Sequence, residues 1–380
     1  MEDIAFLVLC LLTINNVSYK GSNDFFYDYI ELKNTNPIKG IFVWMIILYH
    51  YIHYYSREKY KYIYEEILND FGQKVVTMFL FYSGFGLYES IKKKGNKYVK
   101  TLLIKALILF IKTQLILLVF LLRNIIYKMK TTLKQYLLSV IFYESLGNSK
   151  WFALTIIVYY IYTYIAFIFI KNKKLFFLGI INISIICCLH GYFVYNYYYP
   201  GKKICADNTL SFILGFCYSF SKKYIDKIMM RNDSSYFGIF FIFIVTYYYL
   251  YIQPSSIFKS IYINGIFGII TVFVSMKIRF NNEFLNFLNS HSYSIYLLQK
   301  VVLSTFYNKK YLENYGFMKI FIQFTLILYI ATTFDKYTTF IDKFFKRNNK
   351  ICIKREIKNK TKEEKKMDGQ TTIINFIQKK

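Results

Sequence analysis

Proline is scarce in this chain, with 3 in 380 residues, so little interrupts its long apolar stretches. Cysteine is sparse as well. The 6 present, Cys10, Cys187, Cys188, Cys205, Cys217 and Cys352, follow no metal-ligand spacing and mostly fall in apolar stretches, so they read as small core residues. There is no Gly-rich phosphate loop, no catalytic Ser-His-Asp order and no His-x-x-x-x-Asp pattern. Phosphate-loop and serine-hydrolase chemistry are thereby set aside. No internal repeat of the kind that marks many transporters is visible. Acidic residues are outnumbered, 22 against 49 Lys and Arg, leaving a net charge of +27.

The chain is instead rich in apolar and aromatic residues, 55% and 21%, with a mean hydropathy of +0.29. These residues come in long runs, the signature of membrane-spanning helices. Candidate spans cover 4–15, 39–55, 75–91, 102–122, 151–170, 175–196, 209–220, 237–252, 259–276, 285–307 and 318–334. The stretch 133–143 is too short for a span and reads as interfacial or re-entrant. The fold class is all-α, a polytopic transmembrane helical bundle of about 11 spans. Residues 1–35 hold an extra N-terminal span and a loop, 36–342 the main membrane domain, and 343–380 a basic tail with 13 Lys and Arg against 4 Asp and Glu. The acidic start Met1-Glu2-Asp3 favours a retained first span over a cleaved leader.

The positive charge follows topology. Clusters at Lys92-Lys93-Lys94-Gly95-Asn96-Lys97, at Lys171, Lys173 and Lys174, at Lys222, Lys223, Lys227 and Arg231, at Lys277 and Arg279, and along the tail all fall on one side if the spans alternate. The positive-inside bias makes that side cytoplasmic, with the N-terminus outside and the C-terminus inside. Arg123–Lys134 and Lys309-Lys310 fall on the outer side against this bias. No nucleic-acid-binding motif accompanies the charge, so the partners expected are membrane lipids rather than nucleic acid.

Within the run from Asn36 to His50, Lys39 and His50 are separated by ten residues. On an α-helix the two fall within roughly 20° of one another and about 16 Å apart along the axis. A cation at the rim and an imidazole half-way down the same face suggest a polar track into the membrane, and intramembrane ionisable groups are functional candidates by default. His53, three residues on, shares roughly that face and suits the outer interface. His190 and His291 have no visible partner and read as structural.

Lys39 with His50 resembles the signature of the first core helix of the acyltransferase-3 family of integral-membrane enzymes. Three further stretches fall in that family's order. Phe79-Leu80-Phe81-Tyr82-Ser83-Gly84-Phe85-Gly86-Leu87 is similar to its aromatic Ser-Gly motif, Trp151-Phe152-Ala153-Leu154 to its Trp-Phe helix start, and Ser292-Tyr293-Ser294-Ile295-Tyr296-Leu297-Leu298 to its late Ser-Tyr-x-x-Tyr-Leu helix. The resemblance runs from 36 to 334 and implies ten core helices, so 4–15 is an addition. It implies transfer of an acyl group, usually acetyl, from cytoplasmic acetyl-CoA to a hydroxyl of a cell-envelope or exported glycan, in the plasma or bacterial inner membrane. Acyl-CoA is then a donor substrate rather than a bound cofactor, and the acceptor a glycan or lipid-linked saccharide.

In that reading His50 is the general base, or positions the thioester; imidazole suits the first task because it titrates near neutrality. Lys39, Lys97, Lys100 and Lys105 are the candidate contacts to CoA, while the lysines of 92–105 also serve as a positive-inside signal. Many family members carry paired arginines after the basic loop. Here Lys100-Thr101-Leu102-Leu103-Ile104-Lys105 stands instead, and lysine offers phosphate a point charge without bidentate geometry. Ser83-Gly84-Phe85-Gly86 allows close helix packing or leaves a narrow passage for the pantetheine arm. Glu144 and Asn148 are candidate acceptor contacts, or cap the helix that follows. A transporter or flippase of lipid-linked saccharide is the alternative in a different class, and a non-catalytic scaffold for glycan assembly a third.

Overall fold

The computed structural model describes residues 11, 16–55, 63–142, 144–147, 151–197, 208–254, 256–307 and 318–345. The N-terminal span 4–15, apart from Leu11, and the tail beyond residue 345 lie outside them. Residues up to Asp335 form one compact unit; of a second, Lys336–Lys380, residues 336–345 are described.

The fold is all-α in character. A strand β1 (Val17–Tyr19) leads to α1 (Leu32–Tyr55), α2 (Ile63–Lys94), the single turn α3 (Asn96–Val99) and α4 (Leu102–Ile126). Then come α5 (Leu133–Val140), α6 (Trp151–Phe167), a 3-10 turn at Lys173–Leu175, α7 (Phe176–Tyr197), α8 (Thr209–Met229), α9 (Asp233–Ile252) and α10 (Ile257–Lys277). A strand β2 (Ile278–Phe280), then α11 (Glu283–Ser290), α12 (Ser292–Tyr307) and a helix α13 (Met318–Phe345) complete the described chain. The two strands pair antiparallel, Ser18 opposite Arg279.

Among the described residues, five helices are long and apolar enough to cross a membrane: Asn96–Ile126, Lys173–Val194, Asp233–Ile252, Phe258–Lys277 and Met318–Phe345. α9 is the extreme case. Only 6% of its apolar window is buried, and Phe237, Phe241, Ile242, Val245 and Tyr248 stand exposed along it. So much outward apolar surface suits lipid rather than water. α1, α2, α8 and α12 are more polar and pack on one another or on their neighbours: α8 against α2, and α2, α11 and α12 against α1. The bundle thus presents apolar side chains outward around an interior that is itself largely apolar, and holds the intramembrane ionisable groups His50 and Lys300 half-buried rather than exposed.

Helix ends depart from the sequence spans in interpretable ways. The expected span 285–307 is two helices broken at His291, which caps α11 with a non-helical ψ of 10°. α11 begins where the Asn282 side chain accepts a hydrogen bond from the Leu285 amide at 3.2 Å, a polar cap that hydropathy alone does not reveal. The stretch 133–143 contains the short helix α5, started by a capping box between Thr132 and Gln135.

Two close approaches fix the interior. A Cβ at Gly84 would lie 2.2 Å from the Phe212 carbonyl oxygen, and one at Gly215 2.2 Å from that of Phe81. α2 and α8 therefore cross backbone to backbone, with glycine required on both sides. Across α1, Trp44 packs edge-on against Phe324 at 4.2 Å and Phe284 at 6.1 Å between ring centroids.

Candidate active site

α1 carries both Lys39 and His50 on one uninterrupted helix. Glu31 starts it, its carbonyl accepting the Asn34 and Thr35 amides at 3.0 Å each. Pro37 lies within the helix and gives up one backbone donor there.

Around the Lys39 end opens a cavity of about 740 Å³. Lys39, Lys93 and Lys222 line it together with Glu31, Glu89, Tyr82, Tyr98, Tyr160, Ser83 and Gly86. The Lys39 ammonium lies 5.1 Å from the centre of the Tyr82 ring and forms no ion pair among the described residues. Lys222 is partly neutralised by Asp226 at 2.5 Å, and Glu89 pairs with Lys92. The segment before α1 walls the opening with Tyr27 and Ile30. Tyr29 anchors it from beneath, hydrogen-bonded to the Tyr218 hydroxyl at 2.8 Å and to Asp226 at 2.7 Å.

The other lysines expected on this side are placed unequally. Lys105 donates to the Tyr98 hydroxyl at 2.8 Å, so it touches the cavity through that ring. Lys97 and Lys100 are exposed and do not line it. Lys93 of the basic loop does line it, and so does Lys222, which the sequence presents only as a topology signal. Spacing could not reveal Lys222, because the α2–α8 crossing brings it in from far along the chain.

A second, smaller chamber of about 170 Å³ shares Ser83 and Tyr160 with the first. Its walls are mostly apolar, with the hydroxyl-bearing Ser83, Tyr160 and Ser292 among them: Val43 and Ile46 from α1, Val76 and Phe79 from α2, Leu109 from α4, Phe152 and Ile156 from α6, Tyr293, Ile295 and Tyr296 from α12. Phe152 packs on Phe79 at 6.2 Å and on Tyr296 at 5.3 Å. His50 comes one helical turn after Ile46 on the same side of α1. Its imidazole is half-buried, contacts the Tyr49 ring at 5.1 Å and makes no hydrogen bond among the described residues. Lys300 of α12 lies near enough to interact with it electrostatically.

The geometry along α1 is therefore a cationic opening, an adjoining apolar chamber that reaches Ile46 and, one turn further, an imidazole that lines neither space. A family model for an acyltransferase domain matches residues 36–334. The chain belongs to the acyltransferase-3 family. No curated protein and no solved structure matches it. The four stretches that resemble the acyltransferase-3 signatures meet at the apolar chamber: Val43 and Ile46 from the first, Phe79 and Ser83 from the second, Phe152 from the third, Ser292, Tyr293, Ile295 and Tyr296 from the fourth. Within the Ser83-Gly84-Phe85-Gly86 run of this acyltransferase the roles divide. Gly84 packs on α8, while Ser83 and Gly86 face the larger cavity.

The remaining histidines have partners in the fold. His190 bonds to the Tyr162 hydroxyl at 3.0 Å, and His291 to Asp335 at 2.6 Å. Asp335 also accepts from Ser294 at 2.5 Å, tying the start of α12 to α13. His53 is exposed. Glu144 is half-buried, and its backbone carbonyl accepts from Ser139 at 3.2 Å. Asn148 lies outside the described residues.

Proposed function

We propose that this acyltransferase moves an acyl group, with acetyl as the first candidate, from acyl-CoA to a hydroxyl of a cell-envelope or exported glycan in the plasma or bacterial inner membrane. The observation that supports the proposal is the chamber: residues of the family's four sequence signatures wall one apolar chamber that adjoins a lysine-lined opening and stops one helical turn short of His50 along α1. The Lys39 end faces the cytoplasm in this reading, following the charge bias. CoA phosphates meet Lys39, Lys93 and Lys222, and Lys105 supports Tyr98. The pantetheine arm runs through the chamber, and the thioester carbonyl comes to His50.

The chemistry follows from that placement. The acceptor hydroxyl attacks the thioester carbonyl while the imidazole of His50 takes its proton. The tetrahedral intermediate then collapses, the carbon–sulfur bond breaks, and the CoA sulfur leaves as thiolate or takes that proton back. An imidazole without a competing hydrogen bond among the described residues keeps its lone pair available for this. General-base catalysis of this kind contributes on the order of 10²–10⁴ in rate.

Transfer of labelled acetyl from acetyl-CoA to envelope glycans, in membranes holding the native chain or His50→Ala at matched levels, tests the proposal. The variant is expected to lose at least a hundredfold in transfer while remaining inserted. Undiminished transfer by the variant removes His50 from the chemistry.

A further inference from the structure

The surroundings of His50 carry a second signal, which concerns what the acceptor must look like. Arg123, near the end of α4, is 8% exposed. Its guanidinium donates to the Asn124 side chain at 2.7 and 3.1 Å, to the Met129 sulfur at 3.1 Å and to the Ser304 hydroxyl. Every one of these acceptors is neutral, and Arg123 forms no ion pair among the described residues. A buried cation satisfied only by neutral groups keeps its full charge at a high desolvation cost.

Arg123 is not isolated. Ser304, which it contacts, lies one turn after Lys300 on α12 and donates to the Lys300 carbonyl at 2.5 Å. Lys300 therefore shares that face of the helix. It is half-buried, interacts electrostatically with His50, and has no ion pair among the described residues. On α1, Tyr54 follows His50 by one turn and interacts with Arg123. The loop at Gly147 closes over the guanidinium, so that a Cβ there would sit 3.8 Å from both terminal nitrogens. Glu144, on that loop, forms no ion pair among the described residues.

We infer that Arg123 and Lys300 form an anion subsite beside His50, which seats a carboxylate or phosphate carried by the glycan acceptor. The inference rests on the acyl-transfer reading and sharpens it: the acceptor is an acidic glycan, held by its charge so that a neighbouring hydroxyl meets the imidazole. Arg123 and Lys300 are positioning residues here, and neither touches the reacting atoms.

The test uses the full chain in phosphatidylcholine nanodiscs, with thermal unfolding followed against methyl glucuronide, glucose 1-phosphate and the uncharged methyl glucoside. An anionic sugar is expected to raise the unfolding temperature with saturation, and methyl glucoside to leave it unchanged. Lys300→Gln and Arg123→Gln are each expected to raise the half-saturating concentration about tenfold, the usual effect of losing one charged contact. Lys300→Gln keeps the test informative should the buried Arg123→Gln fail to fold. His50→Ala is expected to keep the anion response, so loss of transfer and loss of the subsite are read separately. Equal response to methyl glucoside, no response to either anionic sugar, or an unchanged half-saturation in Lys300→Gln overturns the inference. So does a response to phosphatidylglycerol in the nanodisc with none to the sugars, which assigns the two cations to a lipid headgroup.

Discussion

The two ends of α1 are built to opposite specifications. Around Lys39 the space is wide, about 740 Å³, and its charges are mixed: Lys222 faces Asp226 and Glu89 faces Lys92, Lys39 itself forms no ion pair among the described residues, and several hydroxyls line the wall. Around His50 the cations Lys300 and Arg123 have no carboxylate partner among the described residues. A roomy, mixed-charge opening tolerates a large ligand in several poses, and lysines adapt to phosphate without fixed geometry. A confined imidazole flanked by unpaired cations tolerates few. The contrast suggests that binding energy is collected at the first end and geometry enforced at the second.

Kinetics can break that contrast. His50→Ala should lower kcat by on the order of 10²–10⁴, whereas Lys39→Gln should leave kcat near native and raise KM for acyl-CoA about tenfold, more at low salt. If the lysine change instead falls on kcat, the two ends do not divide the work. Next in size is the junction between the cavities. Ser83→Phe places a ring where the opening meets the chamber, and a donor misplaced there should lose about a hundredfold in turnover. Stopped-flow transfer with unchanged unfolding temperature would attribute the loss to the passage.

A smaller effect separates packing from passage within the same motif. Gly84→Ala forces a methyl toward the Phe212 carbonyl, 2.2 Å away, where backbone on both helices must give. The expected cost is about 1–3 kcal/mol, read as a lower unfolding temperature. Gly86→Ala meets no atom within 4 Å and should leave stability unchanged.

Part of this arrangement is legible in the amino-acid sequence alone. Lys39 and His50 are related by helical period alone, and α1 keeps them on one helix. The basic loop borders the cavity through Lys93, whereas Lys97 and Lys100 do not line it, since exposure on a single turn depends on packing that charge runs do not encode. Lys222 and Arg123 were visible as residues but not as neighbours of the site. Each is placed by contacts between helices distant in sequence, and without such contacts a charge run looks like a topology signal. The break at His291 falls in a short polar run, Asn289-Ser290-His291-Ser292-Tyr293-Ser294, which the apolar residues on either side absorb into one span when hydropathy is averaged; the His291–Asp335 bond holds the interruption in place.

The smallest effect concerns the segment that walls the Lys39 end. Burial works against ionisation of Asp28, but its hydrogen bond with Lys33 and the charge of Arg279 outweigh that and hold its carboxyl below the usual 3.8. A carboxyl depressed in the folded chain contributes stability that is fully present above the unfolded value and is lost as pH falls through the folded one. The segment should therefore be insensitive from neutrality down to about pH 4 and loosen below it. Asp28→Asn reduces the dependence: amide exchange between Gly21 and Glu31 should rise on acidification in the native chain and rise less in the variant, the remainder coming from Asp24, whose carboxyl Lys20 also holds low, and from Asp233, which pairs with Lys277. Because Asp28 binds Arg279 next to β2 while Tyr27 and Ile30 line the opening, loosening should reach the acyl-CoA side as weaker acyl-CoA binding below pH 4.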